Sequence, residues 1–123
     1  PPLARKEHFT VNFTMTNLLY TSAFGNPNSK KSIATKKALT YLVDPLLQKS
    51  SIGPAYIGCK ITSFRSEKGR DSTAVNAICS YREEPSDPKF SRETVYRELS
   101  NMTNGVTKLG HYSLNSQSLY VNG

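Results

Sequence analysis

The sequence predicts an α+β fold, a two-layer sandwich in which two helices pack on one face of a four-stranded antiparallel sheet. Three patterns predict it: an alternation of apolar and polar residues near the N-terminus, two stretches with apolar residues at helical spacing, and two strand-like stretches around a turn. The elements follow in the order strand, helix, strand, strand, helix, strand. Placing both helices on one face of the sheet buries the apolar side of each element.

The first strand begins at His8 and alternates between polar and apolar side chains. Its apolar positions, which we expect in the core, are Phe9, Val11, Phe13 and Met15. Residues 1–7 are rich in proline and charge. We therefore expect a flexible segment there and a domain that spans residues 8–123.

The first helix is expected over residues 32–48, because apolar side chains recur there at spacings of three and four residues. These side chains are Leu39, Leu42, Val43, Leu46 and Leu47. Pro45 lies inside the pattern and has no backbone N–H to donate. We therefore expect it to kink or end the helix near Asp44.

Residues 56–65 and 72–82 predict a pair of strands joined by a turn-rich segment. Cys59 and Cys79 are equally distant in sequence from Gly69, so in a hairpin centred there they lie directly opposite one another. A disulfide between them would stabilise the fold by about 3 kcal/mol; the alternative is two free, buried thiols. The cysteines share a face with the apolar residues of both strands, Ile57, Ile61, Ala77 and Tyr81.

A second helix is expected after Ser91, which is suited to cap it, with Glu93 in the first turn. The apolar stripe of this helix consists of Val95, Leu99 and Met102. Asn104-Gly105 is expected to end it. A last, less regular strand is predicted over Tyr112, Leu114 and residues 119–121.

The chain of 123 residues is long enough for one domain with its own core. Sixteen Lys and Arg against nine Asp and Glu give a net charge of +7, and hydrophobic residues make up 37%. The sequence holds no apolar run of about 18 residues and no basic segment followed by an apolar one. We therefore expect no membrane span and no signal peptide, and, because the chain starts at Pro1, a domain cut from a longer protein.

The positive charge raises the question of nucleic-acid binding. The third strand lacks the aromatic signature with which RNA-binding sheets stack bases, and the basic residues are spread along the chain. We therefore expect a solvated basic surface and no nucleic-acid partner. A weak patch for anionic glycans is the remaining alternative, at Lys30, Lys31, Lys36 and Lys37.

Catalytic and metal-binding patterns are missing from the sequence. His8 and His111 have no partner that the sequence identifies, and no glycine-rich phosphate loop is present. Two cysteines cannot supply the four ligands of a structural zinc site. We therefore expect no enzyme, no metal and no cofactor.

Two N-glycosylation sequons begin at Asn12 and Asn101, whereas Asn26 is excluded because Pro27 follows it. Asn12 belongs to the polar face of the first strand, where a glycan has room. Sequons combined with a disulfide favour an extracellular setting.

Several segments together resemble SEA domains, the extracellular modules of membrane-bound mucins and related cell-surface glycoproteins. The segments that carry the resemblance are 9–14, Ser50-Ser51-Ile52-Gly53-Pro54 with Tyr56, Gly58-Cys59, Ala77-Ile78-Cys79, Glu98-Leu99-Ser100, Gly105-Val106-Thr107 and 118–123. The resemblance implies a ferredoxin-like sandwich, a paired Cys59–Cys79, and a glycosylated ectodomain of a membrane-anchored mucin at the cell surface.

Many SEA domains cut themselves at a Gly-Ser pair that is followed by three apolar residues, where the Ser hydroxyl attacks the Gly carbonyl. Here Gly69 precedes Arg70, which has no nucleophile, and Asp71 precedes Ser72. Thr73 then interrupts the apolar triplet. We therefore expect no self-cleavage.

The function expected from the sequence is that of a non-enzymatic, glycosylated spacer with a structural or adhesive role. Carbohydrate or cell-surface protein ligands are the expected partners, and we expect a monomer without direct membrane contact. The alternatives are a self-cleaving SEA domain that dissociates under force and a module that binds anionic glycans.

Overall fold

The computed structural model describes residues 5–67, 72–83, 86 and 89–123. Its strands are β1 (Arg5–Met15), β2 (Tyr56–Glu67), β3 (Ser72–Glu83), β4 (Lys108–Leu109), β5 (Tyr112–Ser113) and β6 (Tyr120–Asn122). Its helices are α1 (Lys30–Gln48) and α2 (Arg92–Met102), with short 3₁₀ turns at Ser22–Gly25 and Gly53–Ala55.

The main sheet has four antiparallel strands in the order β2-β3-β1-β6. The four apolar residues of β1 are all buried, and they form one core with the buried sides of α1 and α2. The polar residues between them lie on the opposite, outer face of the sheet. The predicted α+β sandwich, with its element order and antiparallel sheet, is confirmed.

Strand β1 begins earlier than the alternation of the sequence indicates. Arg5 to Glu7, which we expected in a flexible segment, pair with Tyr81 to Glu83 of β3. The charged residues of this stretch are ordered because they form the end of a strand that pairs with β3 along its whole length. Residues 1–4 lie outside the described residues.

Helix α1 runs through Pro45 to Gln48 and does not end near Asp44. Pro45 is exposed, so the carbonyl that loses its donor one turn earlier is open to water. Leu47 after the proline is fully buried and anchors the last turn in the core. The N-terminus lies two residues earlier than expected, where the Ser29 hydroxyl accepts a hydrogen bond from the N–H of Ser32.

A bulge at the start of β2 overturns the expected core position of Ile57. Tyr56 pairs with Tyr81 and Gly58 with Ser80, so one extra residue is inserted and Ile57 is 50% exposed. Tyr56 takes the inward position and packs against the core. The bulge is absorbed before Cys59, which therefore still faces inward.

Helix α2 begins and ends as the sequence predicts. Ser91 accepts a hydrogen bond from the N–H of Thr94 at the N-terminus. At the other end, the N–H of Gly105 donates to the carbonyl of Ser100, and Asn104 and Gly105 have positive φ angles of 56° and 77°. This is the Schellman arrangement that asparagine and glycine favour.

The predicted last strand is divided into separate pieces. Tyr112 belongs to the small β4–β5 hairpin, Leu114 makes a single bridge to Met15, and only β6 joins the main sheet. A turn closed by the Asn115 carbonyl and the N–H of Ser118 separates the last two pieces. Polar residues at this turn interrupt the strand pattern.

Gly53 allows the chain to turn tightly between α1 and β2. A Cβ atom there would lie 2.1 Å from the Gln48 carbonyl oxygen, whereas a Cβ atom at Gly58 would meet nothing within 4 Å. The glycine of the Ser50–Pro54 segment is therefore required by close approach of the backbone.

We expect Gly53→Ala to lower the free energy of unfolding by about 2 kcal/mol or more, because backbone must move to make room. Gly58→Ala is the matched control, and it should be neutral or slightly stabilising because alanine suits a strand better than glycine. Urea denaturation followed by circular dichroism measures both. Equal stability of the two variants would contradict the account of Gly53.

Candidate functional site

Cys59 and Cys79 face each other across β2 and β3 and form a disulfide. Cys79 is fully buried and Cys59 is half-buried. The pairing deduced from the hairpin is therefore confirmed, and the alternative of two free thiols is excluded. The bond links the two strands across the turn at which the family's cleavage motif is expected.

The pairing of β2 with β3 continues from the disulfide to Glu67 and Ser72. Gly69, Arg70 and Asp71 lie outside the described residues. Ser72, the first residue of β3, is 5% exposed. None of the described side chains hydrogen-bonds to its hydroxyl.

The two sequon asparagines lie far apart on the surface. Asn12 lies on the outer face of the sheet, between Asn76 of β3 and Tyr120 of β6. Asn101 is exposed in the last turn of α2. Neither side chain makes a hydrogen bond to a described residue.

A model of the SEA domain family matches residues 7–115, which is most of the chain. The chain is a SEA domain. SEA domains are extracellular and generally non-catalytic modules of mucins and adhesion receptors. Among the described residues, no helix has the length and apolar character needed to cross a membrane.

The structural comparison gives the extracellular region of zebrafish Gpr126/Adgrg6. The identity is 10% and the TM-score 0.48, over 95% of this chain. The match covers only 13% of that much longer zebrafish chain.

The four lysines proposed as an anionic-glycan patch lie on different sides of α1. Lys30 and Lys37, seven residues apart, are exposed on one side of the helix. The Lys31 ammonium lies 5.3 Å from the centre of the Phe24 ring. Lys36 is half-buried. The structure therefore brings Lys30 and Lys37 to one face and sets the other two on its flanks.

The two histidines are not brought together in this SEA domain. His8 makes a hydrogen bond of 2.9 Å between its Nδ1 and the Ser80 hydroxyl at one end of β1. His111 is exposed between β4 and β5. The described residues include no group of three His, Cys, Asp or Glu side chains that could hold a metal ion.

Glu98 is a structural residue that the sequence analysis did not identify as a bond partner. Its carboxylate accepts hydrogen bonds from the Ser51 N–H, at 2.9 and 3.1 Å, and from the Ser51 hydroxyl, at 2.8 Å. The contact fastens α2 to the turn after α1. Both residues occur in the segments that carry the family resemblance, but their spacing of 47 positions offers no local signal that they meet.

A second such contact joins the Tyr56 hydroxyl, as donor, to the Asp44 carboxylate. Burial, the hydrogen bond and the charge of Asp44 together raise the pKa of Tyr56 above its ordinary value of 10.0. The bulge in β2 places Tyr56 in reach of α1. Because the sequence does not reveal the bulge, it does not reveal this pair.

Reduction of the disulfide should lower the free energy of unfolding by about 3 kcal/mol, since the bond closes a loop with a separation of 20 residues. Urea titrations with and without reductant measure the loss. The double variant Cys59→Ala/Cys79→Ala is the control, and reductant should not affect its stability. An unchanged transition in fully reduced wild-type protein would contradict the stabilising role of the bond.

The raised pKa of Tyr56 predicts a loss of stability in alkali. The hydroxyl is protonated in the folded protein, so its contribution is complete below pH 10 and declines as pH rises above the unfolded-state pKa. Unfolding free energies at pH 9 and 11 should differ less for Tyr56→Phe than for wild type. The exposed Tyr41→Phe is the control and should behave as wild type; an equal reduction in both variants would contradict the assignment.

Proposed function

We propose that this SEA domain is an uncleaved, glycan-bearing spacer in the ectodomain of a membrane-anchored mucin. The resemblance of its sequence segments extends to the SEA repeats of mucin-16, and this likeness is the reason for the mucin setting that we propose. Asn12 and Asn101 would carry N-glycans; Asn101 is exposed, and Asn12 is half-buried on the outer face of the sheet.

The disulfide across the β2–β3 turn is the observation that carries the proposal. Self-cleavage in the family needs a strained Gly-Ser peptide, and this chain has Asp71 before Ser72. Cys59 and Cys79 lie on opposite sides of that turn. Even a cut between Gly69 and Ser72 would leave the two parts covalently joined, so the oxidised domain is not built to separate under force.

The positions of the first and last strands support a role as a pendant module. β1 and β6 are antiparallel neighbours, with Thr10 opposite Asn122. The start of β1 and the end of β6 therefore lie toward the same end of the sheet. The distance along β1 from Arg5 to Thr10, the residue opposite Asn122, is about 17 Å. A module whose two ends are neighbours adds bulk and glycans to the mucin ectodomain but adds little to its length.

The exposed side of α1 is the surface we propose for adhesive contacts. Ile33 and Tyr41 are 54% and 72% exposed and lie with Lys37 on successive turns. A mixed apolar and basic stripe suits a protein or carbohydrate ligand with apolar and anionic groups.

Protein secreted by animal cells should show one chain with two N-glycans when its intact mass is measured before and after glycosidase treatment. The single chain should persist after reduction, because no peptide bond is cut. The reduced sample is decisive, since fragments would otherwise stay joined by the disulfide. Two fragments ending between Gly69 and Ser72 would contradict the proposal.

A variant that restores the family motif tests the reason for the intact chain. Asp71→Gly, Thr73→Val and Ala74→Val together create Gly-Ser followed by three apolar residues, with the native Ser72 and Val75. We expect reduction of this variant to release two fragments, and the same variant with Ser72→Ala to remain whole. An intact motif variant would contradict the assignment of the lost cleavage to these positions.

A further inference from the structure

Asn12 and Tyr120 are directly opposite each other in the pairing of β1 with β6. Opposite residues of antiparallel strands point to the same face of a sheet, with Cβ atoms about 4.5–5.5 Å apart. Here that face is the outer one, because Val11 and Val121 beside them are buried in the core. Tyr120 is 61% exposed, so its ring stands on the surface next to the sequon asparagine.

A cleft of about 270 Å³ opens on this face beside the pair. Asn12 and Tyr120 line it together with Arg65, Gln117 and Ser118. The volume lies just below the range of about 300–1,000 Å³ that is usual for drug-sized ligands, which suits a single monosaccharide. An aromatic wall with amide, hydroxyl and guanidinium groups around it matches the apolar and polar sides of a sugar ring.

The free amide of Asn12 distinguishes it from its neighbour on the same face. The Asn76 side chain donates to the Ser63 hydroxyl at 2.9 Å, whereas the Asn12 side chain has no hydrogen bond to any described residue. The amide nitrogen to which a glycan is attached is therefore available at the edge of the cleft.

We propose that the ring of Tyr120 and this cleft hold the first N-acetylglucosamine of the glycan on Asn12. The inference rests on the proposed glycosylation of Asn12. The covalent bond keeps the sugar at high effective concentration beside the cleft, so contacts too weak to bind a free sugar are sufficient to hold it. The first sugar of the glycan then packs against the protein and does not move freely about its bond to Asn12.

A glycan held in this way covers part of the outer face of the sheet, because the cleft beside Asn12 is lined by residues of β1, β2 and β3 as well as by Tyr120 of β6. The exposed side of α1 stays open for the contacts proposed above.

A thermodynamic cycle tests the inference in secreted protein that carries Asn101→Gln, so that Asn12 holds the only glycan. The glycan is trimmed to its first sugar with an endoglycosidase, and the melting temperature is compared with that of the unglycosylated Asn12→Gln form. We expect the single sugar to raise the melting temperature by about 2–6 °C. Tyr120→Ala should remove at least half of this increment, and Tyr120→Phe should keep it.

Two controls separate the effect of the sugar from that of the substitutions. Thr14→Ala removes the sequon and leaves Asn12 in place, so it should reproduce the melting temperature of Asn12→Gln. Tyr41→Ala removes an exposed ring on α1 and should leave the sugar's increment unchanged.

The outcomes separate this inference from the proposed function. If mass spectrometry finds the sugar on Asn12 and the increment is equal with and without the Tyr120 ring, the inference is overturned and the glycosylated spacer stands. If Asn12 carries no sugar, the inference and the proposed glycosylation of this site both fail. A smaller increment in Tyr120→Ala alone supports the inference.

Discussion

Strand β3 pairs with β1 from Thr73 to Glu83 and with β2 from Ser72 to Tyr81, and the Cys59–Cys79 bond lies in the second of these pairings. A shift of one residue would turn every inward side chain of a strand to the outer face. The bond prevents such a shift and so keeps the apolar face of β2 and β3 beneath the helices. The core and the polar outer face both depend on this register.

The same bond connects the fold to the proposed role of the domain. The hairpin of a self-cleaving SEA domain stores strain at its turn. Here β2 and β3 stay paired as far as Glu67 and Ser72, and the disulfide cross-links them. Two contacts far from the β2–β3 turn also stabilise the fold. The Glu98 carboxylate binds Ser51 in the turn after α1, and the Tyr56 hydroxyl donates a hydrogen bond to Asp44 of α1. The disulfide and these two contacts together make a rigid domain, which suits a module whose surface must keep one shape.

The two faces of the sheet have different roles in the domain. The inner face forms the core with α1 and α2, and most of its side chains are buried. The outer face presents Asn12, Tyr120 and their polar neighbours to solvent. Any glycan chemistry of β1 therefore belongs to the outer face, while α1 provides a second, separate surface.

Local pattern alone predicted the order of the elements, both ends of α2 and the facing positions of the two cysteines, because alternation, helical spacing and symmetry about Gly69 are properties of neighbouring residues. It could not reveal the exposure of Ile57, since a bulge changes the register without changing the alternation. The continuation of α1 past Pro45 depended on packing of Leu47. Only the tertiary structure placed Tyr120 beside Asn12, because contacts between strands more than 100 residues apart are decided by how the whole chain folds.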